Sequence, residues 1–146
     1  MIVLDTNVVS ELAGPEPDPR VVSWTAELED EEVYITSTTL SELVEGVMRL
    51  PEGRRRNDID ERVSRAVAAF YDRTLDFSAD DAIVYGRFVP DRDAEAGNPI
   101  SRADAQIASC CLAAGAVLAT RNVKDFEGIP GLEVINPWEL EPQGTG

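Results

Sequence analysis

The sequence predicts a single α/β domain with a mainly parallel sheet flanked by helices. Three observations lead to this. Short apolar runs alternate with longer stretches of helical periodicity, the pattern of strands joined by crossover helices. The apolar runs end at polar, turn-forming residues, as in Ile2-Val3-Leu4 followed by Asp5-Thr6-Asn7. The 146 residues suffice for one core, and no repeat or linker composition divides them. Residues 1–140 are accordingly assigned to the domain, and residues 141–146, which include Gln143 to Gly146, to a disordered tail.

The elements follow in order. After the first strand, Thr6 or Asn7 can cap a short helix through Val8, Val9 and Leu12. Gly14-Pro15-Glu16-Pro17-Asp18-Pro19 breaks it, and Pro19 suits the first turn of a second helix with Val21, Val22, Trp24 and Leu28 apolar. Val33 to Thr36 reads as a strand. Leu40, Leu43, Val44 and Val47 recur at helical spacing. Pro51-Glu52-Gly53 with Arg54, Arg55 and Arg56 reads as a polar turn, and Asn57 or Asp58 as the opening of a long helix through Ile59, Val63, Val67 and Phe70. Leu75 to Phe77 is a short strand. Ser78 caps the next helix, Pro90 leaves its end open, and Ala94 to Pro99 reads as a loop. Ser101 to Ala114 is a largely apolar helix closed by Gly115. Val117 to Ala119 and Leu132 to Ile135 are the last strands, ended by Thr120-Arg121-Asn122 and Asn136-Pro137.

Composition excludes several classes. Histidine is absent, so no Ser-His-Asp triad, imidazole acid–base pair or His-ligated zinc is possible. Cys110 and Cys111 are adjacent within an apolar helical pattern and read as core residues. No apolar run approaches the roughly 20 residues that span a bilayer, and no basic region precedes the first apolar run. A cytoplasmic protein without membrane contact is expected. The net charge of −15 argues against general phosphate binding. Arg54 to Arg56, Arg102, Arg121 and Lys124 are the local exceptions, and the arginine run is expected to face solvent. The acidic surface suits either a high-salt cytosol or simple solubility.

What remains is carboxylate chemistry. Asp5 ends the first strand. Glu42 stands three residues after Thr39, and Asp104 three after Ser101, the spacing of a capping box. Capping alone does not explain their joint placement. In a parallel sheet, strand C-termini and the helix N-termini after them share one edge, and an open α/β sheet binds its ligand there. Asp104 precedes its strand, so its helix must cross toward that edge. Asn122 and Asp125 follow the strand ending at Ala119. Carboxylates gathered there repel one another unless a cation sits between them, and oxygen donors suit Mg²⁺, with Mn²⁺ as a substitute.

The segments Met-Ile-Val-Leu-Asp5-Thr-Asn-Val-Val-Ser-Glu, Thr-Leu-Ser-Glu42-Leu-Val-Glu-Gly, Ser-Arg-Ala-Asp104-Ala-Gln-Ile-Ala and Ala-Thr-Arg-Asn122-Val-Lys-Asp-Phe, closed by Asn136-Pro137-Trp138, resemble a PIN domain. More closely the chain resembles the VapC toxins of toxin–antitoxin pairs, and the FitB branch among them. The resemblance spans Met1 to Trp138. It implies a Mg²⁺-dependent endoribonuclease that is dimeric and neutralised by a small antitoxin with a DNA-binding domain. Asp5, Glu42 and Asp104 then take the catalytic and metal-site roles, Asp5 and Asp104 as ligands and Glu42 as a ligand or as the residue that orients a water. The fourth acid of the family often falls where this chain has Asn122. Asp125, in the same loop, could swing in or cap the turn before Phe126, and turn propensity favours the cap. Thr6, Asn7 and Thr120 could position ligands or phosphate, or serve as caps and turns. Glu45 is expected to pair with Arg49 at i+4.

Two other readings are open at this stage. One is a non-catalytic dimeric regulator that reaches promoter DNA only through a DNA-binding antitoxin. The other is a phosphatase with Asp5 as nucleophile, which wants a second Asp where Asn7 stands. The sequence names neither the RNA nor its cleavage site.

Overall fold

The computed structural model describes residues 1–141, so the expected tail at residues 141–146 lies, but for Glu141, outside the described residues. Five strands form one sheet: β1 (Ile2–Leu4), β2 (Val33–Thr36), β3 (Thr74–Leu75), β4 (Val117–Ala119) and β5 (Val134–Ile135). Their order is β3-β2-β1-β4-β5, and every neighbouring pair is parallel. β1 is central. Leu4 lies opposite Ala119 of β4, and Val3 lies opposite Tyr34 of β2. The chain runs outward from β1 to β2 and β3, then returns to β1's other side for β4 and β5. The switch point, where such sheets bind ligands, is therefore between β1 and β4.

Six helices cover the sheet: α1 (Thr6–Leu12), α2 (Pro19–Ala26), α3 (Ser37–Met48), α4 (Arg54–Phe70), α5 (Ala79–Ala96) and α6 (Arg102–Ala114). Both faces are buried, which is why the strands are continuously apolar rather than alternating. Leu4, Val8, Val9, Val21, Ile35, Leu43 and Ala119 form one core layer. Val3, Ile107, Ala108, Cys111, Leu118 and Phe126 form the other. Cys110 and Cys111 are free, buried thiols, as the apolar pattern required. Burial pushes the Cys110 thiol up to about 12, so it stays protonated and unreactive.

Several boundaries differ from the sequence reading. Asp5, not Thr6 or Asn7, caps α1: its carboxylate accepts from the Thr6 amide at 2.9 Å. α3 begins at Ser37 with Thr36 as its cap, so Thr39 is already helical and its hydroxyl is free for other bonds. α4 starts at Arg54 rather than at Asn57 or Asp58, and the arginine run forms its first turn. Gly53 supplies the φ of 150° at the break, a conformation glycine alone adopts easily. β3 is Thr74–Leu75 rather than Leu75 to Phe77. α5 continues through Pro90 to Ala96 and ends at Gly97 in the left-handed conformation, so part of the expected 94–99 loop is helix. Ser78 and Asp81 make the reciprocal capping box of α5. Glu45 and Arg49 form the expected i+4 pair at 2.6 Å. No helix among the described residues is long and apolar enough to cross a membrane.

Candidate active site

Asp5 follows β1 at the switch point. It is only 5 % exposed, and burial raises its pKa above the ordinary carboxylate range. Opposing that, the Thr120 hydroxyl donates to Asp5 Oδ2 at 2.7 Å and the Thr6 amide to Oδ1. Asn7 closes the arrangement. Its Nδ2 donates to Asp5 Oδ2 and to Thr120 Oγ1, both at 3.2 Å, and its Oδ1 accepts from the Arg121 amide at 3.1 Å. The first turn of α1 and the loop that leaves β4 are thus stapled together, and Asp5 is held in a fixed direction.

Glu42 lies on α3. Because the helix is capped by Thr36, Glu42 falls beyond the first turn and the capping alternative is excluded. Its Oε1 instead accepts from the Thr6 hydroxyl at 2.7 Å. Thr39 is fully buried and completes a hydroxyl chain, 3.2 Å from Thr6 Oγ1 and 3.4 Å from Thr36 Oγ1. Sequence reasoning saw Thr39 only as a cap; the nearby Glu42 was the available clue that its hydroxyl supports the Thr6–Glu42 bond.

Asp104 resolves the crossing question. α6 enters β4 after a tight turn at Gly115, so helix and strand run antiparallel and the α6 N-terminus returns to the strands' C-terminal edge. Ser101 caps α6 and accepts from the Asp104 amide at 3.1 Å. Burial first, then the nearby Asp5 charge, pushes Asp104 up to about 6, with Asp125 and Glu42 adding to the rise. Asp125 raises Asp5 as well. These four acids, from four separate segments, therefore share one electrostatic neighbourhood.

The fourth position departs from turn propensity. Among the described residues no backbone amide donates to the Asp125 carboxylate, so it does not cap its turn. Its own amide donates to the Asn122 carbonyl at 3.0 Å. Asn122 is exposed, and its amide donates to Thr120 Oγ1 at 3.1 Å. Asp125 is thus the residue of that loop whose charge reaches the other acids. Beside it, Arg121, Asn122, Lys124, Asn136 and Glu139 border an open cavity of about 560 Å³. The Arg121 guanidinium sits 5.1 Å from the centre of the Trp138 ring, a cation–π distance.

The donors at this edge are all oxygens, which suits a hard divalent cation. Among the described residues no three acids close on one point tightly enough to grip an ion by themselves. A Mg²⁺-type site needs only one or two carboxylates, with water completing the shell. Asp5 and Asp104, each raised first by burial and then by neighbouring carboxylate charge, are the pair whose crowding such an ion would relieve.

Fold and site together define a parallel α/β domain with a group of acids gathered at the C-terminal edge of its sheet. The PIN domain family matches residues 2–132. The chain is 39 % identical to the VapC ribonuclease Y4jK of Sinorhizobium fredii over 140 residues, 95 % of this chain and 99 % of that one. It is 35 % identical to the toxin FitB of Neisseria gonorrhoeae, covering 94 % of this chain and 99 % of that one. A solved structure of FitAB bound to an IR36 DNA fragment superposes with a TM-score of 0.85 at 34 % identity, covering 99 % of this chain and all of that one. The chain belongs to the PIN-domain family, alongside the VapC and FitB toxins.

Proposed function

We propose that the protein is a divalent-metal-dependent endoribonuclease and the toxin of a toxin–antitoxin pair. The observation that carries this is the convergence of Asp5, Glu42, Asp104 and Asp125 on one edge, each from a different segment, with Asp104 pushed up to about 6 in part by the others' charge. The similarity to a protein named VapC ribonuclease supports the substrate class.

In this reading Asp5 and Asp104 hold the cation, and Glu42 holds it or orients the attacking water and accepts its proton. When bound, the cation supplies charge neutralisation at the phosphodiester and lowers the pKa of water. The chain's own residues do the rest. Thr120 and the Thr6 amide fix both Asp5 oxygens, and the Thr6 hydroxyl fixes Glu42 through Oε1 while its Oε2 stays available. Asn7 keeps the first turn of α1 in register with the loop after β4. Water oxygen bonds to phosphorus as the P–O3′ bond breaks, one proton of that water passes to Glu42, and the leaving O3′ takes a proton from solvent water. The products are a 5′-phosphate and a 3′-hydroxyl. Arg121 and Lys124, which border the same cavity as Asp125, supply positive charge for neighbouring phosphates in this reading.

The partners in this reading are RNA, a second copy of the chain, and a small antitoxin. The likeness to FitAB bound to DNA supports an antitoxin that carries DNA binding. It equally suits the alternative of a regulator with no catalysis, so RNA cleavage decides between them. Purified protein with Mg²⁺ or Mn²⁺ should cut RNA, EDTA should stop it, and restoring the ion should recover it. Asp5→Asn should abolish cleavage, by about 100-fold or more. Cleavage that persists in excess chelator and in Asp5→Asn would refute this mechanism.

A further inference from the structure

A buried cation needs a full set of partners. Arg92, on α5, is only 3 % exposed, and the chemistry above makes no use of it. Its guanidinium is spent on backbone carbonyls. Nε donates to the Glu127 carbonyl at 3.1 Å, and Nη2 to the Asp125 carbonyl at 3.3 Å. Nη1 donates to the Asn98 carbonyl at 2.9 Å and to Asp93 Oδ1 at 3.2 Å. That same Asp93 oxygen accepts from the Ile100 amide at 2.9 Å.

These bonds reach two loops that meet nowhere else in sequence. One carries Asp125. The other leads directly into Ser101, the cap whose hydroxyl accepts from the Asp104 amide. Filling volume does not account for the residue, because an apolar side chain would fill it without desolvating a charge. A planar fork with several fixed donors is what three carbonyls from two loops require.

We propose that Arg92 is a positioning residue of the acidic site: with Asp93 it clamps residues 125–127 and 98–100 together, and so sets Asp125 and Asp104 against Asp5. The proposal rests on the metal-dependent reading above for its catalytic consequence, but the clamp itself is testable without metal or RNA. Arg92→Met keeps the stem's bulk and removes the fork. Arg92→Lys keeps the charge but cannot span three carbonyls.

In the metal-free protein, Arg92→Met should speed amide hydrogen exchange at Asn98, Ile100, Asp125 and Glu127, while β1 and β4 stay protected. Mn²⁺ binding, titrated by calorimetry, should weaken about 10- to 100-fold, with Arg92→Lys between the two. The turnover number should fall by a similar factor while KM for RNA moves within about twofold, as for loss of a transition-state arrangement. Combined with Asp125→Ala, the double variant should lose less than the product of the two single losses. Unchanged exchange in both loops overturns the clamp. Wild-type Mn²⁺ affinity and turnover despite loosened loops overturn its link to the site, as does full multiplication with Asp125→Ala. If Arg92→Met does not fold, Arg92→Lys is read by the same criteria. A wild type that never cuts RNA refutes the ribonuclease reading instead, and the exchange measurement still decides the clamp.

Discussion

At the scale of single residues, Asp104 carries the most readable consequence. Burial and the Asp5 charge push it up to about 6 from an ordinary 3.8. The folded chain thus holds this proton more tightly than the unfolded chain. Its contribution to stability is fully present below about pH 4 and is lost as pH rises through about 6. In metal-free protein, Asp104→Asn should therefore gain melting temperature over the wild type as pH climbs from about 4 to about 7. Equal melting curves at every pH would sink the idea that these acids repel. The same proton competes with a cation, so Mn²⁺ affinity should drop below about pH 6. Asp5, Glu42 and Asp104 could be picked out of the sequence because each stands beside a strand end or a capping residue. Asp125 was misread, since its turn signal was genuine but its carboxylate was not needed there. Arg92 left no trace in the sequence: its partners are mostly carbonyls, which every residue type possesses.

At the scale of elements, the strands and helices were legible from periodicity, but their first turns were not. α4 shows why. Asn57 and Asp58 are good caps by residue type, yet Gly53 gives the chain its break and three arginines tolerate the helical turn. α5 shows the reverse. Pro90 lacks an amide and should end the helix, but packing against α6 and the bonds of Arg92 hold the chain helical to Ala96. This helix also offers a clean stability test. Gly86 lies in its interior on the exposed side, and a Cβ there would meet nothing within 4 Å. Gly86→Ala should stabilise the fold by about 0.8–1 kcal/mol through helix propensity alone. Chemical denaturation would register this as a higher midpoint with an unchanged slope. A lower midpoint would mean that the face of α5 holding Gly86 is covered in solution.

For the whole molecule, the question is whether divalent ions act at one site or merely screen a chain of net charge −15. Screening stabilises any strongly acidic fold, because it relieves self-repulsion over the entire surface. A specific site behaves differently. An ion that binds only the folded state adds about 2.7 kcal/mol when its concentration is 100 times its dissociation constant. At fixed ionic strength, replacing Na⁺ by Mn²⁺ should therefore raise the melting temperature of the wild type. Asp5→Asn and Asp104→Asn each remove one of the 28 acidic residues, so general screening is nearly untouched in either variant. The metal-dependent rise should nevertheless vanish in both, because Asp5 and Asp104 come from distant segments and meet only at the β1–β4 switch point. Glu29→Gln, an exposed acid before β2, serves as the control and should keep the full rise. An equal Mn²⁺ shift in all four proteins would assign the effect to the surface, and the acids at the sheet edge would need another explanation.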